Sequence, residues 1–257
     1  MLYIAVVSHR HAETIMSLSC LQSLAKQSNI HVVVKDNVGE STLADYCFMH
    51  HIEYYDSDKG LGFGANNNHI FNHLLPRMQD NDYFLVLNPD VLVEASTLLE
   101  LISAMQEYSS RLTTINLYRD RMYEQYDHSI RQFPSLINFF GSYIGLKNTT
   151  IIDKSNVHSP VCVDWSAGSF LMFRVDLYRA LSGFNERYFM YCEDIDICWR
   201  AMTFQSERVL FLPNLKAVHL AQFNNRRFFS KHFFWHVTSA FRFLAYRYGL
   251  IKISRPE

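Results

Sequence analysis

NDYFLVLNPDV, residues 81–91, decides how the rest of the chain is read. Tyr83–Leu87 is an apolar run long enough for one buried strand and too short for an ordinary helix. The run stops at Asn88-Pro89-Asp90. Pro89 lacks a backbone N–H, so the chain is expected to leave the sheet there. Asp90 then falls just past the carboxyl end of a central parallel strand, the edge at which open α/β sheets bind ligands. A carboxylate at that edge can hold a hard divalent cation that also grips phosphate oxygens. Asn, Pro and Asp are also good turn formers, and a plain turn accounts for the same three residues.

Outward from this stretch, strands and helices alternate. Leu2–Val7, His31–Val34 and Glu53–Tyr55 read as strands, with Ala12–Gln27 and Thr42–His50 as helices between them. Asp58–Asn68 (DKGLGFGANNN) reads as a loop, followed by a helix over Ile70–Met78. Ala95–Tyr108 is a further helix and Leu112–Leu117 a further strand. This alternation predicts a doubly wound, mostly parallel sheet. The rhythm breaks over Tyr118–Pro160, which reads as an insertion with an aromatic patch at Phe133–Tyr143. Val161–Trp165 and Ser169–Arg174 resume as strands around Gly168, then a short helix over Val175–Leu181. Arg208–Leu212 and Ala217–Leu220 are read as late strands, and Arg226–Tyr248 as a long aromatic, basic helix.

Composition narrows the function classes. A chain of 257 residues, 49% of them hydrophobic, can bury a sizeable core, which excludes global disorder. The 24 Lys and Arg nearly balance the 25 Asp and Glu, so nothing supports nucleic-acid binding. Seven Arg or Lys residues nevertheless fall between Arg226 and Arg255. The five cysteines form no Cys-x-x-Cys pair and read as reduced thiols in a cytosolic protein. No secretion signal and no run long enough to span a membrane is read.

Four constellations carry candidate chemistry. Asp36 follows the second strand on the same edge as Asp90; it can accept a bond from a pyrimidine ring N–H, or simply cap a turn. Gly60–Asn68 is glycine-rich and precedes a helix, which permits close backbone approach and favours anions, but it matches neither the Walker loop nor the dinucleotide fingerprint. Phe184–Arg200 (FNERYFMYCEDIDICWR) crowds Glu193, Asp194 and Asp196 among apolar side chains. Burial and like-charge neighbours disfavour ionisation, as suits a general base. Acids at a helix N-terminus that stabilise its dipole would account for Glu193 or Asp196. His219, in a late strand, is either a core histidine or an imidazole ligand completing the cation site.

The ordered set YIAVVSH, KDN, GLGFGANNN, LNPDV, VDWSAGSFLMFR, GFNERYFMYCEDIDICWR and AVH, from Leu2 to about His219, resembles the family 2 glycosyltransferases. Within them it is most similar to the bacterial rhamnosyltransferases of O-antigen and surface-polysaccharide assembly. The resemblance implies a GT-A fold, Rossmann-like, with a mostly parallel central sheet flanked by helices and a C-terminal amphipathic helical segment. It implies a catalytic domain over residues 1–222, with 118–160 as a variable insertion on the acceptor side. Residues 223–257 would be a helix in contact with the membrane surface through Arg226–Tyr248.

The same resemblance assigns roles. Asp194 is the expected catalytic base, supported by Glu193. Ser8, Asp36, Asn37, Gly62, Phe63, Asn67, Asn88, Trp165, Gly168 and Ser169 are the expected nucleotide-sugar contacts. Asp90 and His219 are the expected ligands of Mg²⁺ or Mn²⁺; this chain has Asn88 where the family often has Asp. The Gln-x-x-Arg-Trp motif of processive synthases is absent, which implies transfer of one sugar. The implied donor is dTDP-β-L-rhamnose and the implied acceptor a polyprenyl-diphosphate-linked sugar, at the cytoplasmic face of the cell membrane. The alternatives are transfer of galactose or glucose from UDP, or a non-catalytic nucleotide-sugar-binding subunit.

Overall fold

The computed structural model describes residues 1–135, 149–220 and 231–251, with the side chains of 231–233 outside that description. Strands β1 (Leu2–Ser8), β2 (Ile30–Asp36), β3 (Glu53–Tyr55) and β4 (Tyr83–Leu87) form one parallel block in the order β3-β2-β1-β4. Parallel strands covered by helices on both faces require apolar residues at nearly every position. Accordingly β4 is buried throughout, and β1 nearly so. Beyond β4 the order continues through β10 (Phe170–Arg174), β6 (Leu112–Tyr118) and β11 (Val209–His219) to β5 (Val91–Leu92). β10 runs antiparallel to both β4 and β6, while β6 and β11 are parallel, so this half of the sheet is mixed. β8 (Val161–Val163) pairs with β11, and β7 (Ile130–Arg131) with β9 (Trp165–Ser166) in a separate ribbon.

Alternation along each strand divides the interior into two apolar layers. Leu2, Ile4, Val6, Leu85 and Leu87 pack against α1 (Ala12–Leu18), α2 (Cys20–Ala25), α3 (Ser41–Met49) and α5 (Ala95–Glu107). Ala5, Phe84 and Val86 face α4 (Phe63–Leu74), α6 (Val175–Ala180), α7 (Glu193–Gln205) and α8 (Lys231–Arg247). The expected α/β architecture with a C-terminal helix is therefore present.

The local departures from the sequence reading have physical causes. The helix expected over Ala12–Gln27 is two helices, broken where Ser19 adopts a left-handed conformation at φ 55°. The helix expected from Ile70 begins seven residues earlier, at Phe63, and ends in a 3₁₀ turn over Leu75–Arg77. Asn is a weak helix former, so GANNN reads as loop. Here the amides are spent on neighbours: Asn66 Nδ2 donates to the Leu61 and Gly62 carbonyls, and Asn67 Nδ2 to that of Phe63. Asn68 Nδ2 donates to the Phe184 carbonyl at 2.8 Å, and its Oδ1 accepts from Tyr178 Oη and Phe184 N. The two late strands are one, β11, with a register shift between Leu212 and Lys216. Of the aromatic patch at Phe133–Tyr143, residues 136–143 lie outside the described residues.

The start of α4 is docked on the loop that leads into α7. Phe63 N donates to the Phe189 carbonyl at 3.1 Å, and a Cβ on Gly62 would stand 2.2 Å from that carbonyl oxygen. Gly62 is thus required for close backbone approach, at an ordinary φ of −70°. Gly62→Ala is expected to push the Phe184–Cys192 loop off α4 and cost about 1–3 kcal/mol, the usual range for overpacking. Urea unfolding checks this; an unchanged midpoint would mean that the loop yields freely.

Candidate active site

The turn after β4 is both a turn and a device for placing a carboxylate. Val91 N donates to the Asn88 carbonyl, closing it, and Asn88 N donates to the Ser169 carbonyl at 3.0 Å. The chain then pairs β5 with β11, so that Val91 lies opposite His219. This pairing sets Asp90 Oδ1 3.4 Å from His219 Nε2, with Asn88 Nδ2 3.5 Å from the same nitrogen. Asp90 Oδ1 is buried and, among the described residues, makes no hydrogen bond of ordinary length. A buried carboxylate oxygen whose one cationic neighbour is an imidazole at 3.4 Å is poised for a ligand.

The other face of the His219 ring is occupied. Nδ1 lies 2.8 Å from Asp127 Oδ2. Burial alone would lower the imidazole pKa, but Asp127 and Asp90 outweigh it and raise it to about 9. The Asp127 carboxyl is held below its usual range: burial opposes this, and His219, Lys154 and Arg119 prevail. Among the described residues no group of three His, Cys, Asp or Glu side chains is arranged to enclose a metal ion. Asp90 Oδ1 and His219 Nε2 fit as protein donors to a cation whose remaining ligands would be diphosphate oxygens and water, with Nε2 giving up its proton when the ion binds.

The acids of α7 differ in their surroundings. The chain enters this helix through Tyr191 and Cys192, both left-handed at φ 70° and 65°. Asp196 is fully buried, bonded to Arg200 at 2.7 Å, and Arg200 also donates to the Leu181 and Gly183 carbonyls. It clamps the preceding loop. Asp194, taken as a whole residue, is only partly buried. Its carboxylate accepts from Ile195 N at 2.9 Å and from Gly168 N at 3.2 Å. Burial raises its pKa, restrained by those two N–H groups and by the Arg131 charge. Glu193 is buried, its Oε2 unpartnered among the described residues, and burial together with Asp194 pushes its carboxyl up to about 8.

The structure joins most of the sequence-predicted site along one sheet edge. Asn88, Asp90 and His219 meet directly, and the Ala167–Ser169 corner connects them to Asp194. The Phe63 ring lies against Gly168, where an added Cβ would stand 2.9 Å from it. The Ser169 hydroxyl and Asn67 Oδ1 are buried and, among the described residues, without partners. The second group sits at the β1 and β2 ends. The Ser8 carbonyl accepts from Asn37 N, and Asn37 Oδ1 accepts from Gly60 N and Leu61 N. Asp36 accepts from Val38 N, Glu40 N and the Tyr54 hydroxyl, so it caps the turn. That leaves limited acceptor capacity for a base. Trp165 is buried, donates to the Gln132 carbonyl, and lies under the Arg131 guanidinium at 5.4 Å.

Asp127, Arg131 and Asn68 were missed by sequence reasoning. Asp127 and His219 are separated by 92 positions, and no spacing signals their meeting.

Several solved structures share this architecture. GalNAc-T7 with UDP, GalNAc and Mn²⁺ aligns over 95% of the chain and 47% of its own, with a TM-score of 0.66 at 11% identity. The Pyrobaculum calidifontis mannosyltransferase PcManGT, in complex with GDP-Man and Mn²⁺, aligns over 99% and 66%, at TM-score 0.60 and 13% identity. The chain thus spans about half to two thirds of these solved chains, and its fold is that of the GT-A glycosyltransferases. No protein-family model matches it. The rhamnosyltransferase WbbL of Escherichia coli is 38% identical over 95% of this chain and 93% of its own length. The chain belongs to the rhamnosyltransferase family that includes WbbL. An N-acetylglucosaminyl-diphospho-decaprenol L-rhamnosyltransferase of Mycobacterium tuberculosis is 26% identical over 88% of this chain and 78% of its own.

Glu193 yields a prediction on stability. A carboxyl at about 8 in the folded chain, against an ordinary 4.5, keeps its proton when the unfolded chain has lost it. The folded state then binds more protons, so stability falls as pH rises from about 4.5 to about 8. Glu193→Gln is expected to flatten that decline and to melt higher than wild type at pH 8.5. Melting curves from pH 5 to 9 check this; parallel curves would place the proton elsewhere.

Proposed function

We propose that the chain transfers a single L-rhamnosyl residue, with inversion, from dTDP-β-L-rhamnose to a polyprenyl-diphosphate-linked saccharide in surface-polysaccharide assembly. The observation that carries this reading is the Ala167–Ser169 corner. Through two adjacent residues it bonds the Asn88–Asp90 turn on one side and the Asp194 carboxylate on the other. A leaving diphosphate and an attacking hydroxyl need such neighbouring, opposed places. The names of the Escherichia coli and mycobacterial relatives support rhamnose as the sugar, and the mycobacterial name supports the acceptor class.

A divalent cation, Mg²⁺ or Mn²⁺, held by Asp90 and His219 would neutralise charge developing on the diphosphate leaving group. Asp194 takes the proton from an acceptor hydroxyl while that oxygen attacks the anomeric carbon from the face opposite the leaving group. One displacement inverts the centre, so a β-linked donor gives an α-rhamnoside. The N–H groups of Ile195 and Gly168 fix the carboxylate in position for this. Glu193, holding its own proton at neutral pH, adds no second negative charge beside the base.

Asp194→Asn keeps the shape and removes the proton acceptor, at an expected cost of about 10²–10⁴-fold in turnover with donor binding retained. Asp90→Ala, and EDTA on the wild type, are expected to abolish turnover, the latter reversibly on adding Mg²⁺ or Mn²⁺. Mass spectrometry of transfer from dTDP-rhamnose, UDP-glucose and UDP-galactose to a synthetic lipid-diphosphate sugar reads all of these. Full activity in EDTA sinks the cation assignment, and preference for a UDP-sugar sinks rhamnose.

The proposed acceptor is embedded in the cytoplasmic face of a membrane, yet no helix among the described residues is long and apolar enough to cross one. We assign membrane contact to the outward side of α8. Its inner side packs Ala240, Phe243, Leu244 and Tyr246 into the core. Arg247 donates to the Pro134 carbonyl and Arg242 to that of Arg187, so these two cations hold the helix to the domain. Arg226 and Arg227 lie outside the described residues, as does the Lys231 side chain. Phe234 and Phe241 on the helix, and Tyr248, Leu250 and Ile251 just past its end, remain exposed. Apolar side chains on such a helix enter the headgroup boundary. The double substitution Phe241→Ser with Leu250→Ser is expected to lower co-sedimentation with anionic vesicles several-fold, sparing activity on a short-chain soluble acceptor. Undiminished binding would move the contact elsewhere.

A further inference from the structure

We propose that Asp127 is a positioning residue of the cation site, holding the His219 ring so that Nε2, and not Nδ1, is presented to a divalent ion shared with Asp90. The inference rests on the reading of Asp90 and His219 as that ion's protein donors.

The segment carrying Asp127 is built to place it. After β6 the chain turns tightly at Asp120, whose carboxylate accepts from Met122 N, Glu124 N and Gln125 N. It then runs back along β6: Arg119 N donates to the Gln125 carbonyl, and Asp127 N donates to the Leu117 carbonyl at 2.9 Å. Leu117 is paired with Ala217, two residues before His219 on the neighbouring strand β11. A side chain leaving the returning segment at position 127 therefore meets one leaving β11 at 219.

The contact is directional. Asp127 Oδ2 is 2.8 Å from Nδ1, while Asp90 Oδ1 and Asn88 Nδ2 lie 3.4 Å and 3.5 Å from Nε2. A carboxylate only accepts, so it keeps a proton on Nδ1, and Nε2 is the nitrogen that gives up its proton to ligate. The same carboxylate–histidine–metal relation recurs where imidazoles bind metals, and losing the outer carboxylate typically weakens metal affinity 10–100-fold. The stretch beginning at Tyr118, read from sequence as an insertion on the acceptor side, thereby serves the donor side as well.

An asparagine at 127 is close in size but can donate. Its Nδ2–H would face Nδ1 and drive the ring proton onto Nε2, the wrong tautomer for ligation. The test measures Mn²⁺ binding by the loss of the free-ion EPR signal, in the presence of dTDP. The proteins compared are the wild type, Asp127→Asn, Asp127→Ala and Asp90→Ala. Expected are affinities about 10–100-fold weaker in both Asp127 variants, measured at a temperature where circular dichroism shows each one folded. Long-range ¹H–¹⁵N spectra of the wild type with Mg²⁺ and dTDP are expected to find His219 protonated at Nδ1. Wild-type-like Mn²⁺ affinity in Asp127→Asn, with binding lost in Asp90→Ala, overturns the role of Asp127 alone. A proton on Nε2 in the Mg²⁺ complex overturns it even if the variants fail to fold. Absence of Mn²⁺ binding in the wild type overturns the cation reading itself, and this inference with it.

Discussion

The hydrogen bond from Phe63 N–H to the Phe189 carbonyl is the contact on which the site depends. It joins the first half of the sheet to the loop that delivers the α7 acids, and it exists because Gly62 lets two backbones touch. Asn68 reinforces it from the next turn of α4, with all its bonding directed at Tyr178, Phe184 and Glu186. The glycine-rich stretch thus works as a docking surface between parts of one chain. Its resemblance to an anion-binding loop concealed that role, since both uses require glycine for the same steric reason.

Much of the fold was legible because buried parallel strands impose a composition that few other structures share. Tyr83–Leu87 and Leu2–Val7 could hardly be anything else. Asp90 was legible through Pro89, which forces the chain out of the sheet at a known edge. His219 offered a core reading and a ligand reading; its place beside Asp90 comes from the pairing of Val91 with His219, a long-range register that sequence does not display. Asp127 was illegible for the same reason. Asp36 offered two readings with equal chemical sense, and its bonds to Val38, Glu40 and Tyr54 establish the capping one without using every lone pair.

Charge is distributed by burial. Asp196 is compensated by Arg200, and Glu193 by retaining its proton, while Asp194 is held by the Ile195 and Gly168 N–H groups with no ion pair at its carboxylate among the described residues. On the other side of the corner, Asp90 and Asp127 bracket one imidazole. An uncompensated buried charge is costly, and each half of the site answers that cost differently.

The two left-handed residues before α7 have a geometric consequence. A helix turns about 100° per residue. Tyr191 and Cys192 set where the winding of α7 starts, and the Asp196–Arg200 clamp anchors its first turn to the Leu181 and Gly183 carbonyls. Rotational phase is therefore fixed at both ends of a single turn. A residue added to or removed from the Phe184–Cys192 loop would have to be absorbed ahead of Cys192, at the expense of the Phe63–Phe189 bond, because the helix is not free to turn. Along this stretch the chain can vary in side chain but not in count.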